Sequence, residues 1–218
     1  MKKVVHFAKH LMPLFGFLVM SCGTDGNSSS GTDPLDGEMS VMGEPGNIFD
    51  VPGFSGTSER IAEVISREGN VSLIRASAKV TNPNLLSIVQ DLDVEGLQVN
   101  GDRVTYELKA RITSEGIQNV SHDQSKSLTL VDYDAKVGDS YKGKISFGEV
   151  TRNVTKVSSE DDFLWGFMYI KTIEVEERNQ IPGVSKVVYY TNHRFGLVGA
   201  DVYYEDGSKM MTYVYSDY

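Results

Sequence analysis

Cysteine is almost absent from this chain: Cys22 is the single one in 218 residues. One thiol cannot form an intrachain disulfide or supply the thiolate sets that hold structural zinc. Histidine is scarce too, at four residues. No run of about 18 or more apolar residues occurs, the length a helix needs to cross a bilayer. Bases are in the minority, 21 Lys and Arg against 30 Asp and Glu. The net charge of −9 argues against nucleic acid as a partner, because phosphates are met by a basic surface. What is present is 40% hydrophobic and 23% charged residues, which excludes wholesale disorder and allows one ordinary domain or two small ones.

The start of the chain reads as an address. Residues 1–10 carry Lys2, Lys3 and Lys9 and no acid, and residues 11–20 are uncharged and largely apolar. A basic stretch followed by about ten apolar residues is the layout of a secretory signal. Ser21 then places a small residue before Cys22. The run Leu18-Val19-Met20-Ser21-Cys22 resembles the lipobox of bacterial lipoproteins, although Met20 is larger than the residue usual at its position. The resemblance implies a signal peptide over 1–21, cleavage before Cys22, and acyl chains on Cys22 that anchor the protein in a membrane. Two or three chains anchor stably where one does not. By the same resemblance, Gly23 in place of Asp favours the Gram-negative outer membrane. Asp25 is a lone acid, so the periplasmic face and the cell surface both stay open. Loss of Lys2, Lys3 and Lys9 leaves 18 bases against 30 acids, a net −12, with only His122 and His193 as histidines.

Residues 23–57 hold eight Gly, three Pro, five Ser and six acids without one Lys or Arg. Such composition buries little apolar surface, so residues 22–57 are expected to be a lipidated Cys and a flexible acidic tether. A Gly-rich coil of about 35 residues spans roughly 30–35 Å r.m.s.. The apolar patch Ile48–Phe54 is the part of it that can dock on the domain.

The single domain is expected over 58–218. Ile61, Ala62, Val64 and Ile65 recur at helical spacing, with Thr57 or Ser58 as cap and Gly69 as stop, which predicts a short N-terminal α-helix over 58–67. The remainder reads as strands. Val104, Tyr106, Leu108, Ala110 and Ile112 alternate with Arg103, Thr105, Glu107, Lys109 and Arg111, one buried face and one wet face of an antiparallel sheet. Asn100-Gly101 suits a two-residue hairpin turn that sets Leu97 opposite Val104. Asp206-Gly207 suits another, pairing Tyr204 with Lys209 and Val202 with Met211. Further strands are expected near 71–80, 127–133, 144–157, 166–177 and 184–191, with a bulge at Gly148. Turns are expected at Asn82-Pro83-Asn84, Gly138-Asp139 and Pro182-Gly183.

Motifs that carry chemistry are few. No G-x-S-x-G, phosphate loop, dinucleotide fingerprint or metal-binding helix occurs, so no cofactor and no metal is expected. Asp132-Tyr133-Asp134 opens like a calcium loop, but Gly143 stands where the bidentate Glu belongs. Glu160-Asp161-Asp162 reads as a solvated loop. Asp161/Asp162 beside Trp165, or Glu174/Glu176 on one strand face, are the candidate acid pairs for a hydrolase. Ten of the 11 Tyr fall in 133–218, beside Trp165. They suit either a β core or a concave binding surface. In Asn192-His193-Arg194-Phe195-Gly196, His193 and Arg194 can meet an anion, or the run is a plain turn.

The segment from Val137-Gly138-Asp139 through Gly196-Leu197-Val198-Gly199 to Asp206-Gly207 loosely resembles small β-rich Gram-negative envelope lipoproteins, including LolA/LolB-like half-barrels. The resemblance implies a meander wrapped around an apolar cavity. The expected fold is mainly β, an antiparallel meander forming an open or partly closed barrel with one short N-terminal α-helix. The expected function is non-enzymatic: a lipid-anchored cell-envelope module that binds a ligand or another envelope protein. A carrier of a hydrophobic ligand is the alternative, and a hydrolase using paired carboxylates a weaker one. His193, Arg194 and Trp165 are the candidate binding residues, and Cys22 is the lipid attachment site.

Overall fold

A computed structural model describes residues 33–52, 56–92, 94–145, 148–178 and 183–217. Cys22, the leader 1–21 and Phe54 lie outside the described residues. The clean alternation over 103–112 becomes strand β5 (Arg103–Ile112), at the middle of an eight-stranded antiparallel sheet. Upstream lie β1 (Ile48–Asp50), β2 (Thr57–Glu68), β3 (Val71–Val80), helix α1 (Pro83–Gln90) and β4 (Leu97–Asn100). Downstream, β6 (Gly116–Val120) and β7 (Ser127–Asp132) complete one side of the sheet, and the C-terminal β16 (Tyr215–Ser216) closes the other by pairing with β1. One sheet of the molecule is curled as a half-barrel.

A second antiparallel sheet has six strands: β8 (Ser140–Ile145), β9 (Gly148–Val157), β12 (Ile173–Arg178), β13 (Val184–Asn192), β14 (Gly196–Tyr204) and β15 (Lys209–Tyr213). Strands β10 (Phe163–Trp165) and β11 (Met168–Ile170) form a separate hairpin. One apolar core spans both sheets, with Tyr106, Leu128 and Leu130 from the first and Val175, Tyr189 and Val202 from the second.

The mainly β, antiparallel expectation holds, but the N-terminal helix does not. Residues 57–68 are strand β2, paired with β3 and β1. Its register shifts twice, between Ser58 and Ile61 and between Val64 and Ser66. Each bulge resets the two-residue period, so apolar residues at 61, 62, 64 and 65 imitate helical spacing within a strand. The helix in this part of the chain is α1, where a turn was expected. Pro83 is its first residue, and the Asn82 carbonyl accepts the Leu86 N–H at 3.0 Å. A missing N–H at the first helical position costs nothing.

The folded unit also starts upstream of the expected boundary at 58. Strand β1 lies in the segment read as tether, Ser40 N–H donates to the Ile112 carbonyl at 3.0 Å, and Val64 N–H donates to the Asn47 carbonyl at 2.9 Å. Met42, in a single 3-10 turn at Val41–Gly43, is buried. Few apolar residues suffice here because β2 offers an open edge for pairing.

Both hairpins exist with shifted registers. In the first, Asn100 pairs with Arg103, so the loop is Gly101-Asp102 and Leu97 faces Tyr106 rather than Val104. The shift is two residues, and the apolar face survives it. In the second, Tyr203 faces Lys209 and Val202 faces Met210, one residue away from expectation. A one-residue slip exchanges the faces: Thr212 and Val214 point inward, while Tyr213 and Tyr215 lie on the outer side. At Gly148 the chain reverses rather than bulges, with Ile145 opposite Gly148. Gly196-Leu197-Val198-Gly199 lies within β14 and is no turn.

Candidate functional site

Three alanines set the shape of the interior. Ala62, Ala76 and Ala110 stand on the inner face of the large sheet, where longer side chains would reach the opposite layer. Above them is a cavity of about 150 Å³, walled by Ile74, Leu108, Ile112, Ile117 and Leu130. Met42, Phe49 and Val51 cover it from the N-terminal segment, and Tyr189 and Leu197 of the small sheet close it together with Val214, which lies between β15 and β16. Ile61, 39% exposed, marks where it reaches solvent. Arg60 stands at this rim, donating through Nε to the Val51 carbonyl at 3.1 Å and through Nη1 to the Thr57 carbonyl at 3.0 Å. A cavity of this size and lining is large enough for a benzene ring.

Four polar side chains interrupt the hydrocarbon, those of Arg60, Ser77, Asn119 and Tyr189. Asn119 on β6 is 6% exposed and lines the cavity, and its Oδ1 has no hydrogen-bond partner among the described residues. A buried acceptor left unpaired costs about 1–3 kcal/mol.

Beside the cavity lies a buried charge cluster. Arg152 on β9 is opposite Glu177 on β12, and its Nε donates to Glu177 Oε2 at 2.9 Å. Its Nη1 donates to the Thr129 carbonyl at 2.8 Å, which ties the small sheet to β7 of the large one. Tyr189 hydrogen-bonds the Glu177 carboxylate, and burial first, with that negative charge second, holds its phenol well above its ordinary range. Tyr189 therefore presents its ring to the cavity while its hydroxyl serves the ion pair.

The expected binding residues lie elsewhere. Trp165 belongs to the β10–β11 hairpin, donates its indole N–H to the Val214 carbonyl at 2.9 Å and packs on Phe195, with ring centroids 4.7 Å apart. Arg194 lies over the Phe195 ring at 5.3 Å, so Phe195 links these two residues. His193 is exposed in the same turn. The Asn192 carboxamide oxygen accepts the N–H groups of Arg194 and Phe195 at 2.8 and 3.1 Å, which makes the segment a hydrogen-bonded turn between β13 and β14. Phe163 joins the same aromatic layer, stacked on Tyr190 at 4.7 Å. The hairpin tip beyond them carries Phe167, fully exposed, with Leu164, Met168 and Tyr169 about half exposed.

Three of the four candidate acids, Asp162, Glu174 and Glu176, are in ion pairs. Lys156 bridges Asp162 at 2.8 Å and Glu174 at 3.4 Å. Glu176 meets Lys186 at 2.6 Å and Arg178 at 2.9 Å, and the Lys186 hydrogen bond leads in lowering its pKa. Asp162 is lowered chiefly by its bond to Lys156.

None of the residues that line or support the cavity was read from sequence as a binding residue, although Phe49 and Val51 fall in the Ile48–Phe54 patch read as able to dock on the domain. A usable signal existed for two of them. Arg152 shares a strand face with Val150 and Val154, and Glu177 with Ile173 and Val175, so each is a charge in the apolar phase of an alternation. No known protein family, curated protein or solved structure matches the chain.

Proposed function

We propose that the protein is a lipid-anchored envelope lipoprotein, held at the Gram-negative outer membrane by acyl chains on Cys22, whose β domain binds an apolar ligand without catalysis. The observation that carries the ligand reading is the inter-sheet cavity, about 150 Å³ and almost wholly hydrocarbon-lined. Burial of apolar surface drives such binding. The volume falls short of the roughly 300–1,000 Å³ of sites that enclose drug-sized molecules, so the ligand is a single ring or short chain, or the end of a longer molecule. The cover that a carrier needs is supplied by Met42, Phe49 and Val51 rather than by a helix.

The test is calorimetric titration of toluene into the unlipidated Cys22→Ala full-length chain and into the same chain carrying Ala110→Leu. Toluene binding by the first and its loss in the second is the expected result. Equal uptake by both places the probe outside the cavity and overturns the reading.

A second reading, docking of another envelope protein, is favoured by the β10–β11 tip. Contiguous exposed apolar residues such as Leu164, Phe167 and Met168 mark interaction sites more often than chance.

A further inference from the structure

We infer that the β10–β11 hairpin is a second membrane contact: its apolar tip enters an anionic phospholipid surface, and Lys171 and Arg194 beside it meet the headgroups. The inference is separate from the cavity, and it takes from the proposed lipid anchor only that the domain sits beside a bilayer. Phe163–Ile170 is eight residues without a charge. Phe163 stacks on Tyr190, and Trp165 packs on Phe195 and Tyr215, which fixes one face of the hairpin to the domain. Leu164 and its cross-strand partner Tyr169 take the opposite face and are about half exposed. The reversal is Gly166-Phe167, between Trp165 and its partner Met168, with Gly166 at φ 59°. Phe167 therefore stands at the apex, fully exposed. Four of the nine exposed large apolar side chains among the described residues lie within Leu164–Tyr169, while the other five occur singly along the chain. Single ones need no explanation, whereas a contiguous patch marks an interaction site.

The charges around the tip select lipid as the partner. The Asn192 carboxamide donates to the Lys171 carbonyl at 2.7 Å, which sets the β13–β14 turn alongside the hairpin. Arg194 of that turn lies over Phe195, which packs on Trp165. Lys171, His193 and Arg194 are exposed, and none is in an ion pair among the described residues. Asp162 is held by Lys156 at 2.8 Å, and Glu160 and Asp161 precede β10, at the end opposite Phe167. Interfacial segments combine these features, with apolar groups at the acyl boundary and Lys or Arg at anionic headgroups. A protein pocket could take the tip but gives the cations no role. From Cys22 to Asp33 the chain reaches at most about 40 Å, so an acylated Cys22 keeps the domain close to lipid. One such tip binds marginally and reversibly, as a single acyl chain does. It orients a domain that Cys22 retains, and it does not hold the Cys22→Ala chain through fractionation.

Trp165 is the only tryptophan in the chain, so its fluorescence reports on the hairpin alone. The Cys22→Ala full-length chain is mixed with vesicles of phosphatidylglycerol or of phosphatidylcholine, both with brominated acyl chains that quench tryptophan. The same is done with chains that also carry Phe167→Ser or Arg194→Gln. Adsorption through residues 1–21 is common to all three chains and does not enter the comparison. The expected result is quenching by the anionic vesicles that is about tenfold weaker in Phe167→Ser. In Arg194→Gln it is about fivefold weaker on phosphatidylglycerol and unchanged on phosphatidylcholine. Phe167 is fully exposed, so its replacement leaves the fold intact. No quenching by the anionic vesicles overturns the inference and returns the tip to a protein partner. Equal quenching of the parent and Phe167→Ser overturns it as well, and equal quenching of the parent and Arg194→Gln overturns the headgroup contact. None of these results bears on the lipid anchor, which the tested chains lack.

Discussion

Arg152 and Glu177 show how a single residue pair can fasten two sheets. Both side chains are essentially without solvent exposure, and the guanidinium also reaches the backbone of β7. A buried ion pair gains little over well-packed hydrocarbon, but removal of one member leaves an uncompensated charge. Arg152→Met is therefore expected to destabilise the domain by about 3–5 kcal/mol, read as a lower urea midpoint. Arg152→Met with Glu177→Met should recover most of that loss. Equal losses in the single and double variants would show that packing, not the stranded carboxylate, sets the effect. The pair was legible in part, as charges in the apolar phase of β9 and β12. Their meeting was not, because it depends on which residue of β9 faces which residue of β12.

At the scale of elements, the C-terminal hairpin carries the clearest lesson. Asp206-Gly207 marked the turn correctly, yet the loop holds three residues rather than two. Gly207 N–H donates to the Tyr204 carbonyl at 3.1 Å, and Tyr204 N–H donates to the Ser208 carbonyl at 2.9 Å. A type I turn closed by a left-handed residue fits these bonds, and Gly207 has φ of 84°. That extra residue sends Thr212 and Val214 inward and releases Tyr213 to meet Phe163 at a tilt and Tyr215 to stack on Trp165. An L side chain at this φ is strained by roughly 1–2 kcal/mol. Gly207→Ala should lower stability by about that amount, measured by urea unfolding. No change would mean that the loop relaxes to another turn. Strand β2 makes the same point differently: its two bulges broke the period on which the helix expectation rested. The strands around β3, β5 and β13 were legible because they run without that interruption or tolerate it at their ends.

At the scale of the whole molecule, the proposed function depends on an address and a cavity. The proposed address is local, a basic and apolar leader over 1–21 followed by Cys22, and its test is local too. Cys22→Ala is expected to move the protein from the membrane fraction to the soluble fraction on cell fractionation. Unchanged membrane association would overturn the lipid anchor. The cavity is assembled from residues that begin at Met42 and end at Val214. None of its lining residues is unusual in its own strand, and an alanine in a strand says nothing of the space above it.

The sequence by itself determined the composition limits, the lone cysteine, the antiparallel β character and the positions of most turns. These are local properties, set by period and by turn chemistry within a few residues. Tertiary structure alone decided the register of β14 on β15, the recruitment of residues 40–51 to the domain, the meeting of Arg152 with Glu177 and the opening beside Asn119. Each of these depends on which residues face one another across strands or sheets. That facing changes with a one-residue slip, while the sequence pattern on either side of it stays the same.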